Sequence, residues 1–305
     1  MRTDGEMVPQ GAEVVLSLTT YPPRLAGLGE VLASLQRQTV TPDRICLWLA
    51  EDDFPDREEP LRALGQAVED GGVEVRWCPR TLGPHDKYFW TMQAHPDAAV
   101  ITVDDDIRYP SDLVERLLAA HEEHPSAVVA CRTHLVRALT GEGQGRLAPY
   151  DSWLLEQKLH QGEPRCDLLA TGVGGILYPP RAFDEAVFDE AAIRTSALFT
   201  DDLWLFVHEL RLGIPVVSAA PYELDYVADS QACALCHENL ERGGNDGVLA
   251  ALFERFPREL ALLLAQAQNN EASQLSRTEE VAPAAAAVSE PPSVFARLKR
   301  RLIGR

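Results

Sequence analysis

The sequence lacks a long apolar run and an N-terminal export signal. No stretch approaches the roughly 18–20 apolar residues that a membrane-spanning helix needs. Residues 1–13 carry Asp4, Glu6 and Glu13 around no apolar centre, so they are not typical of a secretory signal. We therefore expect a cytoplasmic protein whose thiols stay reduced.

Basic side chains are scarce, because 28 Lys and Arg stand against 47 Asp and Glu, for a net charge of −19. This balance argues against non-specific binding to nucleic acid. The exception is the end of the chain, since residues 294–305 contain five basic residues and no acidic one. Residues 293–305 predict a short basic amphipathic tail that would associate with the anionic inner face of the plasma membrane. The plainer alternative is a basic chain end without a role.

The composition divides the 305 residues into four segments. We predict a flexible N-terminus over residues 1–12 and a globular domain over 13–265. Residues 266–292, rich in Ala, Gln, Glu and Pro, bury too little apolar surface to offset the entropy of ordering, which predicts a disordered linker. The tail at 293–305 follows it.

Short apolar runs alternate with helical patterns up to about residue 257, as is typical of an α/β sheet with helices on its faces. Strands are predicted over residues 14–18, 45–49, 73–77, 98–103, 128–132, 175–178 and 215–219. Helices are predicted over residues 28–35, 61–68 and 86–94 and from residue 201.

Three adjacent carboxylates, Asp104, Asp105 and Asp106, directly follow the apolar run 98–103. Such carboxylates repel one another and are costly to hold unless a cation neutralises them. In open α/β sheets, ligands bind beyond the carboxyl ends of the strands, where this triplet is expected. The segment therefore predicts a cation-dependent binding site, and the plainer alternative is a solvated acidic turn.

Over about residues 13–257 the chain resembles bacterial GT-A-fold glycosyltransferases, because a set of short motifs occurs in the family's order. These are LTTYPPR at 18–24, SLQRQT at 34–39, PDRI at 42–45, GPHDKYF at 83–89, ITVDDDI at 101–107, TGVGG at 171–175 and TDDLW at 200–204. The resemblance implies a Rossmann-like mixed sheet flanked by helices. It also implies transfer of a sugar from a nucleotide-sugar donor to a glycan or lipid-linked acceptor, with Mn²⁺ or Mg²⁺, in polysaccharide biosynthesis.

By resemblance to the family's D-x-D motif, Asp106 would ligate the metal directly and Asp104 would reach the ribose or a metal-bound water. His237 is a further candidate ligand, and Asp105 would either face the nucleotide or hold the loop. The remaining residues expected at the donor are Thr19, Tyr21, Arg24, Lys87, Gly174 and Gly175.

The second acidic pair, Asp201 and Asp202, opens a predicted helix. The resemblance gives one of them the task of deprotonating the acceptor hydroxyl during an inverting displacement, and Asp202 is favoured by its place in the motif. An aspartate there is also a good N-cap, which is the plainer role. Trp204 is expected to face the acceptor sugar or the core.

Three alternatives were weighed against this interpretation. The Cys233-x-x-Cys236-His237 spacing matches covalent haem attachment, which needs an export signal that is not seen. A sugar-nucleotide nucleotidyltransferase usually has a Gly-rich loop after its first strand, and residues 19–24 contain no glycine. A non-catalytic binding module is disfavoured by the intact Asp106 and Asp202.

Overall fold

The computed structural model describes residues 12–69, 72–139, 145–228 and 244–267. Within these ranges no helix is both long enough and apolar enough to cross a membrane. Several predictions fall outside the described residues: those for the tail, for the linker from residue 268 onward, for residues 1–11, and for Cys233, Cys236 and His237.

The described residues form eleven strands and eight bounded helices of the α type. The strands are β1 Val14–Thr19, β2 Arg44–Ala50, β3 Glu74–Cys78, β4 Ala99–Thr102, β5 Ile107–Arg108, β6 Val128–Ala130, β7 Thr133–Leu135, β8 Leu168–Ala170, β9 Ile176–Tyr178, β10 Val216–Ser218 and β11 Asp225–Tyr226. The helices are α1 Leu25–Leu35, α2 Glu58–Leu64, α3 Gln66–Glu69, α4 Asp86–Ala94, α5 Leu113–Glu123, α6 Glu190–Ser196, α7 Asp201–Leu212 and α8 Gly244–Arg255. Residues 257–267 are helical as well.

Seven strands form one mixed sheet in the order β10-β6-β9-β4-β1-β2-β3. Strand β1 pairs in parallel with β2 and β4, whereas β9 runs antiparallel between β4 and β6. Two small ribbons, β5 with β11 and β7 with β8, lie outside this sheet. The predicted α/β architecture, a GT-A-like mixed sheet flanked by helices, is confirmed.

The central strands are buried on both faces, which explains why their sequences are apolar runs rather than alternating patterns. Val15, Leu16 and Leu18 of β1 are fully buried. One prediction needs correction, because the helix predicted over 61–68 is interrupted. Gly65 adopts a φ of +45°, which a continuing right-handed helix cannot contain, so the segment forms α2 and α3 instead.

Polar loops meet at the edge of the sheet where β1 and β4 end. Because these parallel neighbours end at the same edge, the residues after β1 are brought beside the residues after β4. Helix α4 packs under this edge through Ser17, whose hydroxyl donates to the Lys87 carbonyl at 2.5 Å. The fold thereby gathers four separate motifs in one place.

Candidate active site

A cavity of about 600 Å³ opens at this edge of the sheet. Residues from the loop after β1, the start of α4, the loop after β4 and the start of α7 line it. They include Thr19, Thr20, Tyr21, Arg24, Lys87, Asp104, Asp105, Asp106, Thr171, Val173, Asp201 and Asp202. Most of the residues predicted for the site therefore share one cavity, although they come from distant parts of the sequence.

Arg24 neutralises part of the aspartate loop after β4. Its Nη1 lies 2.6 Å from Asp105 Oδ1 and 3.2 Å from Asp106 Oδ2. Asp105 is buried and also accepts a hydrogen bond of 2.5 Å from the Thr20 hydroxyl, so this carboxylate holds the loop in place. Burial by itself lowers the pKa of Arg24, but Asp105 and Asp106 outweigh it and the net shift is upward.

Lys87 links the two acidic segments. Its Nζ lies 2.7 Å from Asp104 Oδ1 and 3.0 Å from Asp201 Oδ2, and its side chain is only 5% exposed. Burial opposes the charge of this ammonium, but the surrounding aspartates raise its pKa well above the usual value. Burial also opposes the charge of Asp201, yet Lys87 and His85 bring the pKa of Asp201 below its usual value.

Asp202 has a different environment from its neighbour. Its Oδ1 accepts a hydrogen bond of 3.0 Å from the Gly172 N–H, and no described cation forms an ion pair with it. Burial, followed by repulsion from Asp201, raises the pKa of Asp202 to about 8. A carboxyl group with a raised pKa inside a cavity is suited to exchanging a proton with a bound ligand.

Gly172 lies where these groups converge. A β-carbon at this position would lie 2.9 Å from Lys87 Nζ and 3.3 Å from Oδ1 of both Asp104 and Asp202. Contacts that close leave no room for a side chain, so the position requires glycine.

Two buried side chains hold these segments in place. The His85 ring bonds to the Tyr88 hydroxyl at 3.0 Å and to the Ala197 carbonyl at 2.8 Å, which ties the start of α4 to the chain before α7. The Tyr109 hydroxyl accepts from the Asp104 N–H at 2.8 Å. Both lie one layer behind the cavity and keep Lys87 and Asp104 in position.

The carboxylates of the cavity fit a hard divalent cation. Six aspartates line it against four Lys and Arg side chains, and burial together with repulsion from Asp104 raises the pKa of Asp106 to about 7. Under-neutralised carboxylate oxygens are ligands that Mn²⁺ and Mg²⁺ accept. Among the described residues, no three His, Cys, Asp or Glu side chains are grouped to hold a metal by themselves. Further ligands would have to come from the donor, from water or from His237.

Three predicted site residues do not contact the cavity. Trp204 is fully buried and its indole N–H donates to the Val187 carbonyl at 2.9 Å, so it belongs to the core and the expected acceptor contact is corrected. At Gly174 a β-carbon would lie 2.5 Å from the Arg132 β-carbon, and Gly175 has a φ of +79° and packs against Leu113. Both glycines shape the loop, whereas Gly172 is the one beside the carboxylates.

Several cavity residues were not predicted. They are Asp53, Thr81, Arg132, His134, Tyr150, Leu155, Arg194, Phe199, Tyr226 and Asn245. Arg132 donates to Thr171 Oγ1 at 2.9 Å and to Glu156 at 2.8 Å. Most of them come from segments without clear helical or strand periodicity, so only the position of Asp53, shortly after β2, could have indicated a site.

The sequence profile described as Glycosyl transferase family 2 matches residues 20–178, which is just over half of the chain. The chain belongs to this family. No curated protein sequence matches it significantly. The chain is thus a GT-A-fold glycosyltransferase and a transferase enzyme.

Two solved structures illustrate the similarity of fold. A mannosyltransferase from Pyrobaculum calidifontis, solved in complex with GDP-Man and Mn²⁺, aligns with a TM-score of 0.52 at 14% identity, covering 98% of this chain and 83% of that one. TarS 1–349 from S. aureus, in complex with UDP, aligns with a TM-score of 0.40 at 16% identity, covering 70% of this chain and 59% of that one. At such identity the first likeness concerns the fold alone, and the second adds no argument.

Proposed function

We propose that this glycosyltransferase moves a sugar from a nucleotide-diphosphate-sugar donor to a hydroxyl of a glycan or lipid-linked acceptor. The observation that carries the proposal is the convergence of Lys87, Asp104 and Asp202 around Gly172. One cavity thereby offers a cation for negative charge, carboxylates for a metal, and a proton acceptor. The mannosyltransferase solved with GDP-Man and Mn²⁺ supports a donor of this class.

Asp104 and Asp106 would hold Mn²⁺ or Mg²⁺. A divalent cation at this place supplies positive charge that neutralises the diphosphate and stabilises it as a leaving group. Lys87 supports the same charge, because its ammonium is buried and already contacts Asp104. Thr19 and Tyr21, which line the cavity after β1, would contact the nucleotide.

Asp202 would act as the general base. In a single displacement the acceptor hydroxyl attacks the anomeric carbon, its proton passes to a carboxylate oxygen of Asp202, and the bond to the diphosphate oxygen breaks. The nucleoside diphosphate departs with the electron pair, and the configuration at the anomeric carbon inverts. Asp201 serves as the counter-ion of Lys87 in this scheme, because its carboxylate is 3.0 Å from that ammonium.

The proposal is tested by measuring nucleotide release from a panel of UDP- and GDP-sugars, with and without Mn²⁺. We expect one donor to be hydrolysed slowly in the presence of the metal and transferred faster once an acceptor is added. A protein that cleaves none of them, yet binds a nucleotide sugar, would instead be a binding module. A product that contains a new sugar-nucleotide bond would indicate a nucleotidyltransferase.

The metal assignment has its own variant, Asp106→Asn. We expect Mn²⁺-dependent affinity for UDP or GDP to fall by about tenfold or more, because a charged ligand becomes neutral while the side-chain shape is kept. Titration calorimetry measures this loss, and the thermal midpoint should not fall, since one of three repelling carboxylates is removed. Unchanged Mn²⁺-dependent affinity would remove Asp106 from the metal site.

The acceptor, the peripheral membrane association of the 293–305 tail and a role in polysaccharide biosynthesis follow from the sequence alone. We propose them together, because a lipid-linked acceptor would lie at the surface that a basic amphipathic tail is expected to bind.

A further inference from the structure

We infer that Arg24 exchanges between the aspartate loop and the donor diphosphate, and thereby couples metal binding to donor binding. The inference rests on the proposed function, because it needs a cation at Asp106 and a diphosphate in the same cavity. It goes further in giving one side chain two alternative partners and a measurable effect on each ligand.

Arg24 has hydrogen-bonding capacity that its present contacts leave unused. Only its Nη1 contacts the loop, at 2.6 Å from Asp105 and 3.2 Å from Asp106. Its Nε is buried and has no hydrogen-bond partner among the described residues. Because a buried N–H without an acceptor is unfavourable, the guanidinium favours a ligand that supplies further oxygens.

Asp106 cannot satisfy two cations equally well. The guanidinium lies 3.2 Å from its Oδ2, and a divalent metal on the same carboxylate would meet this like charge at close range. Without a nucleotide, Arg24 therefore competes with the metal for Asp106. Metal binding has to weaken or displace this contact.

Asp105 allows the exchange without releasing Arg24 altogether. This carboxylate is buried, accepts the Thr20 hydroxyl at 2.5 Å and keeps the shorter of the two contacts with Arg24. Asp105 thus anchors the guanidinium when Asp106 is taken up by the metal. The remaining N–H groups can then bind diphosphate oxygens, a geometry for which arginine is well suited.

Lys87 does not share this property, although it also contacts the aspartates. Its ammonium lies within 3.0 Å of both Asp104 and Asp201, and its side chain is 5% exposed against 13% for Arg24. The lysine is enclosed by its two partners, whereas the arginine retains an unused donor. Arg24 is therefore the cation of the site that can change partners.

The test measures Mn²⁺ binding by electron paramagnetic resonance, with and without UDP or GDP, for the wild type and for Arg24→Gln. Without nucleotide, Mn²⁺ should bind the variant about fivefold tighter, at the lower end of typical coupling between two sites. With Mn²⁺ present, the nucleoside diphosphate that binds the wild type should bind the variant about tenfold more weakly. Arg62→Gln is the matched control, because Arg62 is an exposed arginine paired with Asp56 at 2.9 Å, and it should change neither value.

Opposite signs for the two ligands are what a merely structural arginine would not produce. If Arg24 only held the loop in shape, Arg24→Gln would weaken Mn²⁺ binding as well, and that result, or an unchanged Mn²⁺ affinity, would overturn the inference. Tighter Mn²⁺ binding in a protein that transfers no sugar would leave the inference standing and remove the proposed function.

A second measurement needs no substitution that might unfold the protein. The Arg24 Nε–H resonance of the wild type should shift when Mg²⁺ is added alone, and shift again when the nucleoside diphosphate follows. A resonance that responds to neither addition would overturn the exchange.

Discussion

Two acidic segments face the same cavity and differ in what neutralises them. In the loop after β4, Asp105 and Asp106 share Arg24, and Asp104 contacts Lys87. At the start of α7, Asp201 contacts the same lysine, while Asp202 has a backbone N–H. The same side-chain type therefore appears in two states, with the pKa of Asp201 lowered and that of Asp202 raised to about 8. The comparison teaches that the partner, rather than the residue type, separates a counter-ion from a base.

The largest expected effect comes from Asp202→Asn. We expect transfer to fall by about 10²–10⁴-fold, because the proton acceptor is lost, with donor affinity nearly unchanged. The amide oxygen can still accept the Gly172 N–H, and Asn is as good an N-cap as Asp, so the fold should be retained. Steady-state kinetics of Asp202→Asn beside Asp201→Asn measure the contrast. Equal losses in the two variants would remove the distinction between them.

Gly172→Ala should come next, since it disturbs both acidic segments together. The new β-carbon would lie 2.9 Å from Lys87 Nζ, so the ammonium must move away from Asp104 or Asp201. A displacement of this size is expected to cost about 10²-fold in transfer rate. Gly29→Ala is the matched control, because a β-carbon there meets no atom within 4 Å. Near-normal transfer by Gly172→Ala would show that the convergence is not needed.

Asp201→Asn should shift the pH dependence of transfer. Because burial and then repulsion from Asp201 raise the pKa of Asp202, removing that charge leaves burial and Lys87, and the pKa of Asp202 should fall. Asp202 then becomes a base at lower pH, so the acidic limb of the kcat profile should move down by about one pH unit. The profile is recorded at saturating donor and acceptor. A limb that stays in place or moves to higher pH would contradict the assignment.

The smallest effect concerns stability and a third acid on α7, Glu209. It is 2% exposed, its Oε2 has no hydrogen-bond partner among the described residues, and burial followed by Asp202 raises its pKa to about 8. An acid with a raised folded-state pKa stabilises the protein fully below its unfolded pKa of 4.5, and this contribution is lost as the pH rises towards 8.

We therefore expect Glu209→Gln to be more stable than the wild type by about 1–3 kcal/mol at pH 8 and similar to it at pH 4.5. Urea unfolding at the two pH values measures the difference. Exposed Glu122→Gln is the control and should show no such pH dependence. A variant that is less stable at pH 8 would mean that the ionised Glu209 has a favourable partner.

Much of the fold could be predicted, because burial of apolar runs is a local property of the sequence. Helix α4 has the predicted bounds, and β1 and β2 extend their predicted ranges by one or two residues. The segment 61–68 was wrong because a single positive φ at Gly65 ends α2, and periodicity does not reveal backbone sign. The irregular segments around Arg132, His134 and Tyr150 offered no period, so their place in the cavity could not be predicted.

The sequence by itself determined which residue types were available and where strands would end, so it located Asp104–Asp106 and the Asp201–Asp202 pair. It could not assign their partners, because Lys87 is 17 residues from Asp104 and Arg24 is 81 residues from Asp105. It also placed Trp204 and Gly174 beside the ligand, whereas packing put one in the core and the other against Arg132. Charge and pKa depend on distances of a few ångströms across the sheet edge, and only the tertiary structure sets those distances.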